Sequence, residues 1–175
     1  ASSEDVVASA VDLEPEATYQ AFMDERHARI MDQIAEACSR SGRELCEVTA
    51  FAVSKTVGPC EVVAAMRAGW DAFAENRPQE LVRKLDAFAA AGVEAPRFDM
   101  IGNLQKSKIN QVLGRAERIQ SISSLELARA VSERAVRAGL VMPALLECNV
   151  SGEESKGGFS PDEVREQAEE LVGLE

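Results

Sequence analysis

The stretch Glu47–Thr56, EVTAFAVSKT, decides how this chain is read. From Val48 to Val53 it is apolar or β-branched, with no Gly or Pro, and it stops at Ser54 and Lys55. Such a run predicts a strand, Val48–Ser54, buried as in a parallel sheet. A lysine at the exit of such a strand has its backbone held by the scaffold while its amine faces a loop-lined rim. Open α/β sheets and barrels place ligands at that rim. Side chains alternate along a strand, which puts Lys55 on the face of Val53, Phe51 and Thr49. If the sheet closes, that face is the interior.

Working outward, strands and helices alternate. Gly58–Pro59 precedes a helix Cys60–Ala68 that ends at Gly69. A strand Asp71–Glu75 leads to a helix Pro78–Ala91, closed by Gly92. The strand Phe98–Gly102 leads to a helix Leu104–Leu113, closed by Gly114. The strand Arg118–Ile122 leads to a helix Leu125–Ala138, with Ser123 or Ser124 as its cap. Ala144–Val150 is the next strand, followed by a polar loop Ser151–Phe159. Ser160–Pro161–Asp162–Glu163 starts a last helix, which runs to about Val172. Upstream, Tyr19, Phe22, Met23, Ile30, Ile34 and Ala37 give Glu16–Ser41 an amphipathic helical pattern, with Gly42 as its stop. Residues 1–15 are small, acidic and aperiodic, and read as a flexible arm before one domain over 16–175.

The five βα units make this an α/β chain with a parallel sheet, either doubly wound or of TIM-barrel type. A full (β/α)8 barrel takes about 200 residues or more, so these units would be only part of one.

Composition narrows the function classes. The 175 residues are 46% hydrophobic and 28% charged, ordinary for one globular domain with a core. A net charge of -11 argues against nucleic-acid and anionic-membrane partners. Lys106, Lys108, Arg115 and Arg118 form a local basic cluster that reads as solvated positions around one helix. Cys38, Cys46, Cys60 and Cys148 have no metal or disulfide spacing, which fits a reducing cytoplasm. Cys46 and Cys148 lie in strand-like runs and read as small buried hydrophobes. The acidic N-terminus is unlike a signal peptide, and no apolar run approaches membrane-spanning length. The single histidine, His27, reads as a partly exposed helix residue, so triads and multi-histidine metal sites have little to build on.

The strand exits carry the candidate chemistry. They read Ser54–Lys55–Thr56, Glu75–Asn76–Arg77, Gly102–Asn103–Leu104–Gln105, Ser121–Ile122–Ser123–Ser124 and Asn149–Val150–Ser151–Gly152. An amine at such an exit can form a Schiff base with a carbonyl ligand. On spacing alone Lys55 is more often a solvated strand-end lysine. The loop SGEESKGGF places Gly152 and Gly157 as in a phosphate loop, but Gly158–Phe159 stand where Lys and Ser/Thr are required. No GxGxxG is present.

Taken together, AVSKT at Ala52–Thr56, AENRPQE at Ala74–Glu80, IGNLQKSK at Ile101–Lys108, SISSLELA at Ser121–Ala128 and NVSGEESKGGF at Asn149–Phe159 resemble the YggS/PROSC-like pyridoxal phosphate homeostasis proteins. The resemblance spans about Ala28 to Glu175. It implies the fold of the alanine racemase N-terminal domain, a (β/α)8 barrel. It also implies pyridoxal 5′-phosphate (PLP) held by a Schiff base on the lysine aligning with Lys55. Asn76 would line the ring side, and Asn149 and Ser151 the rim near the cofactor. The sequence departs from the family at Arg77, where Tyr is usual, and at Asn103, where His is usual. Family members continue for several strands beyond a position like Glu175, with a phosphate cup there, so the chain reads as a fragment.

The resemblance implies a PLP carrier or homeostasis factor without robust catalysis, with PLP-dependent apoenzymes as its partners. A racemase or decarboxylase of the same fold is the alternative. Against racemisation, the only tyrosine, Tyr19, lies in the first helix. A Schiff-base aldolase without cofactor ranks lower, because no loop reads as a sugar-phosphate site.

Overall fold

The computed structural model describes residues 11–175. Helix α1 (Ala17–Ser41) is followed by a short 3-10 turn at Leu45–Glu47. Then come β1 (Ala52–Val53), α2 (Pro59–Ala68), β2 (Ala72–Glu75), α3 (Pro78–Ala91), β3 (Arg97–Met100), α4 (Ile109–Val112), β4 (Arg118–Ile122), α5 (Leu125–Arg137), β5 (Ala144–Leu146), α6 (Pro161–Glu166) and α7 (Ala168–Val172). The strands form one five-stranded parallel sheet in the order β1-β2-β3-β4-β5. Consecutive neighbours throughout, each joined by a helical crossover, is the connectivity of part of a TIM-type barrel.

Register sorts the two faces of the sheet. Phe73 aligns with Phe98, and Met100 with Ile119. These side chains face the helices and build the core with Leu81, Phe88, Ile109 and Val112. The Phe73 and Phe98 rings sit 5.7 Å apart. The other face carries the aligned row Val53, Ala74, Asp99 and Arg118. On it Asp99 accepts from Arg118 Nε at 2.9 Å and from Gln120 Nε2 at 2.6 Å. Arg118 also lies over the Phe51 ring, 5.8 Å from its centroid.

Several sequence expectations are corrected. The strand Val48–Ser54 contracts to Ala52–Val53, and Val53 is 50% exposed rather than buried. The ladder to β2 begins at Ala52, which aligns with Phe73, and the residues before it have no ladder partner. Helix Leu104–Leu113 contracts to a 3-10 turn at Lys106–Lys108 and the four-residue α4. The apolar residues Leu104 and Ile109 are five apart and so do not share a helical face. Strand Ala144–Val150 ends at Leu146, because Ile122, the last residue of β4, pairs there.

Cys46 and Cys148 are exposed, the first on the 3-10 turn and the second just past β5, where only Phe159 bridges to it; Cys38 is the buried one. The basic cluster does not surround one helix. Lys106 pairs with Glu126, Arg115 donates to the Asn110 carbonyl at 3.1 Å, and Arg118 belongs to β4.

Of the expected flexible arm, residues 1–10 lie outside the described residues. The remainder is tied down. Leu13 is buried in the core, and Glu14 binds Arg67 of α2 through two 2.6 Å contacts. Those hydrogen bonds hold the Glu14 carboxyl below its usual range. His27 is half-buried on α1, edge-on to Trp70 at 5.1 Å. No helix among the described residues is long and apolar enough to cross a membrane.

Candidate functional site

The exits of β1 and β2 lie side by side because the two strands are hydrogen-bonded neighbours. The last rung between them is Ser54 N–H to the Ala74 carbonyl, 2.9 Å. Beyond it the chain turns, with Val57 N–H donating to the Ser54 carbonyl at 3.2 Å. Lys55 therefore stands in a turn, and the strand alternation that put it on the face of Val53 stops one residue short of it. Its side chain is exposed and makes no ion pair among the described residues.

Asn76 occupies the neighbouring exit. Its backbone N–H donates to its own predecessor, Glu75 Oε1, at 2.8 Å. Its side-chain Oδ1 is shut off from solvent and has no hydrogen-bond partner among the described residues. An enclosed acceptor without a donor is uncommon, and Gln20, Gln111 and Gln167 carry others among the described residues. On the next exit, Gly102 lies against the Asn76 peptide: a Cβ there would come within 1.9 Å of the Asn76 carbonyl oxygen. The Gly102 carbonyl in turn accepts from Ser121 Oγ at 2.6 Å. Three successive exits are thus stitched to one another.

Beneath Lys55 and Asn76 lies a charged pair. Lys84 of α3 and Glu75 of β2 are both fully buried and form an ion pair. Lys84 Nζ also donates to the Ser54 carbonyl at 2.7 Å. Ser54 is itself buried, its hydroxyl 3.4 Å from Glu75 Oε2.

Asn149 and Ser151 stand elsewhere on the rim, at the exit of β5 on the far edge of the sheet. No hydrogen bond among the described residues joins them to Lys55 or Asn76. The Asn149 amide is occupied with its own loop. Nδ2 donates to the carbonyls of Glu153 at 2.9 Å and Lys156 at 3.3 Å, and Oδ1 accepts from Ser151 Oγ at 3.2 Å and Gly152 N–H at 3.1 Å. The loop then returns to the strand, with Asn149 N–H donating to the Phe159 carbonyl and Phe159 N–H to the Glu147 carbonyl, both 2.8 Å. Gly158 makes that return possible. Its φ is +108°, and a Cβ would meet the Glu147 carbonyl oxygen at 2.7 Å.

The sequence reading singled out Lys55, Asn76, Asn149 and Ser151 and missed Lys84. A signal for it exists. Leu81, Lys84, Leu85 and Phe88 follow the i, i+3, i+4, i+7 pattern of a buried face, and a lysine inside that pattern needs a buried partner.

Residues 26–175 match the family described as the alanine racemase N-terminal domain. The chain belongs to that family. Within it, the chain is 34% identical over 150 residues to the pyridoxal phosphate homeostasis protein of Aquifex aeolicus, covering 86% of this chain and 64% of that protein. It is 32% identical over 147 residues to the protein of that name from Escherichia coli K12, covering 84% of this chain and 63% of that protein. A crystal structure of an unknown protein from Bifidobacterium adolescentis superposes with a TM-score of 0.85 at 34% identity, covering 95% of this chain and 70% of that one. PipY of Synechococcus elongatus with PLP bound superposes with a TM-score of 0.67 at 26% identity, covering 81% of this chain and 65% of that one. The chain spans less than two thirds of the length of these curated relatives, 64% and 63%.

Proposed function

We propose that this chain binds PLP at the carboxyl ends of its strands, with Lys55 as the point of attachment, and serves as a carrier or homeostasis factor rather than a catalyst. PLP supplies an aldehyde on a planar ring and a phosphate dianion. Lys55 would hold the aldehyde end, its primary amine condensing with the carbonyl carbon and releasing water. Asn76 would line the ring side from the neighbouring exit. Asn149 would shape the β5 loop, leaving Ser151 and the loop backbone to face a ligand at the rim.

The observation that carries the reading is the pairing of neighbours: an exposed, unpaired lysine amine on one exit beside an unsatisfied, enclosed amide oxygen on the next. The names of the relatives and the PLP-bound PipY structure agree with it. PLP-dependent apoenzymes as recipients follow from the carrier reading.

The test is spectroscopic. PLP added to the protein produces a visible absorbance band, borohydride fixes the label, and peptide mapping finds it on Lys55. An unchanged band and label in Lys55→Ala would sink the assignment.

A further inference from the structure

We infer that the buried Lys84–Glu75 pair is a positioning device that replaces the missing next rung of the β1–β2 ladder and so fixes where Lys55 and Asn76 stand. The clamp is read from the geometry alone; that it serves ligand attachment rests on the reading of Lys55 above.

A fully buried ion pair is an inefficient way to hold a helix on a sheet. Two charges lose their hydration, and apolar residues of similar volume at such places are often as stabilising or more so. Lys84 lies on the same helix face as Leu81 and Phe88, where another apolar side chain would continue the core. What an apolar side chain could not do is reach the strand exits. The backbone ladder between β1 and β2 ends at Ser54 N–H. The next two polar groups along the rim are the Ser54 carbonyl and the Asn76 N–H. Lys84 Nζ takes the first at 2.7 Å and Glu75 Oε1 takes the second at 2.8 Å. Because Lys84 and Glu75 also bind each other, the two exits are tied together and to α3 through one ion pair. The tied residues are the immediate neighbours of Lys55 on one side and Asn76 itself on the other.

This makes Lys84 and Glu75 positioning residues. Neither needs to touch a ligand. A charged pair serves here because each member holds the other and still has a bond left for the rim. Gly102 and Ser121 extend the same device, packing against the Asn76 peptide and holding Gly102 from β4.

The experiment compares the intact chain with Lys84→Met/Glu75→Leu, an apolar replacement of both partners, and with Arg83→Ala on the exposed side of the same helix. Three readouts are taken: thermal unfolding, amide hydrogen exchange along the chain, and the rate at which borohydride fixes PLP to Lys55. The expected result is a melting temperature within about 4 °C of the parent. Exchange at residues 54–56 and 75–77 rises about tenfold, with α5 unchanged. Labelling of Lys55 slows about tenfold or more. Arg83→Ala changes none of the three. If the double variant loses protection everywhere, Lys84→Met/Glu75→Gln, which leaves no buried charge and keeps the shape of residue 75, carries the same comparison. Unaltered exchange at both exits with a parental labelling rate overturns the inference, as does loss of protection throughout the chain in both variants. If the parent itself is not labelled on Lys55, the PLP reading falls, and the exchange pattern alone decides whether the clamp exists.

Discussion

At the scale of single residues, the rim depends on contacts whose removal has unequal cost. Lys84→Met leaves Glu75 as an uncompensated buried carboxylate, and breaking a buried pair in this way costs about 3–5 kcal/mol. Urea unfolding should show this as a lower midpoint at constant slope. The neighbouring Arg83→Ala removes only an exposed contact to Glu80 and should stay within about 0.5 kcal/mol. Gly102→Ala is a different case. Its Cβ would lie 1.9 Å from the Asn76 carbonyl oxygen, a backbone atom that cannot swing aside. The two peptides must separate, with an expected loss of about 1–3 kcal/mol and weaker PLP labelling, both readable on one purified variant. That Lys55 and Asn76 stand at strand exits was legible in the sequence, and the structure puts those exits side by side. Lys84 was not, because a lysine in a helix is ordinarily solvated, and its partner becomes evident only once the register of β1, β2 and α3 is known.

At the scale of elements, the sequence located each helix and strand better than it bounded them. Pro78–Ala91 forms the helix expected from its proline start and glycine stop. β1 and β5 came out short because strand length is set by the partner: β1 finds no ladder partner before Ala52, and β4 ends where β5 does. Caps, by contrast, are local and were readable. Ser124 accepts from Leu127 N–H at 3.1 Å at the start of α5, so Ser124→Ala should lower stability by about 1 kcal/mol in thermal unfolding. Ser160 and Glu163 form a reciprocal cap on α6. The hydrogen bond from the Ser160 backbone N–H, with the Ser160 side chain adding to it, holds the Glu163 carboxyl below its usual value. A carboxyl lowered on folding adds stability above its unfolded value and loses it as pH falls through the folded one. Protection of residues 160–166, taken as exchange relative to the unfolded-chain rate at the same pH, should therefore fall on acidification below about pH 4, and Glu163→Gln should flatten that dependence. A dependence that persists in Glu163→Gln would place the titrating group elsewhere.

At the scale of the molecule, five parallel strands of barrel connectivity form an open sheet, and among the described residues no strand pairs with the outer edge of the apolar β5. Val141 is 95% exposed just before β5, and Leu145 and Leu146 on the strand are 46% and 38% exposed. The matched relatives are longer than this chain, which covers 64% of the Aquifex aeolicus protein. An unpaired edge with apolar flanks is a template for association, and an added lysine on such an edge is the usual deterrent. The 175-residue chain should therefore associate in a concentration-dependent way, seen as a rising mass in light scattering. Val141→Lys should lower that mass while changing unfolding stability by no more than about 0.5 kcal/mol, since so exposed a side chain packs on little. Leu145→Lys should lower it further by charging the strand itself. Association unchanged in both variants would mean that the contact lies away from β5, and the sheet face carrying the half-exposed Val53 would then be the surface to charge next.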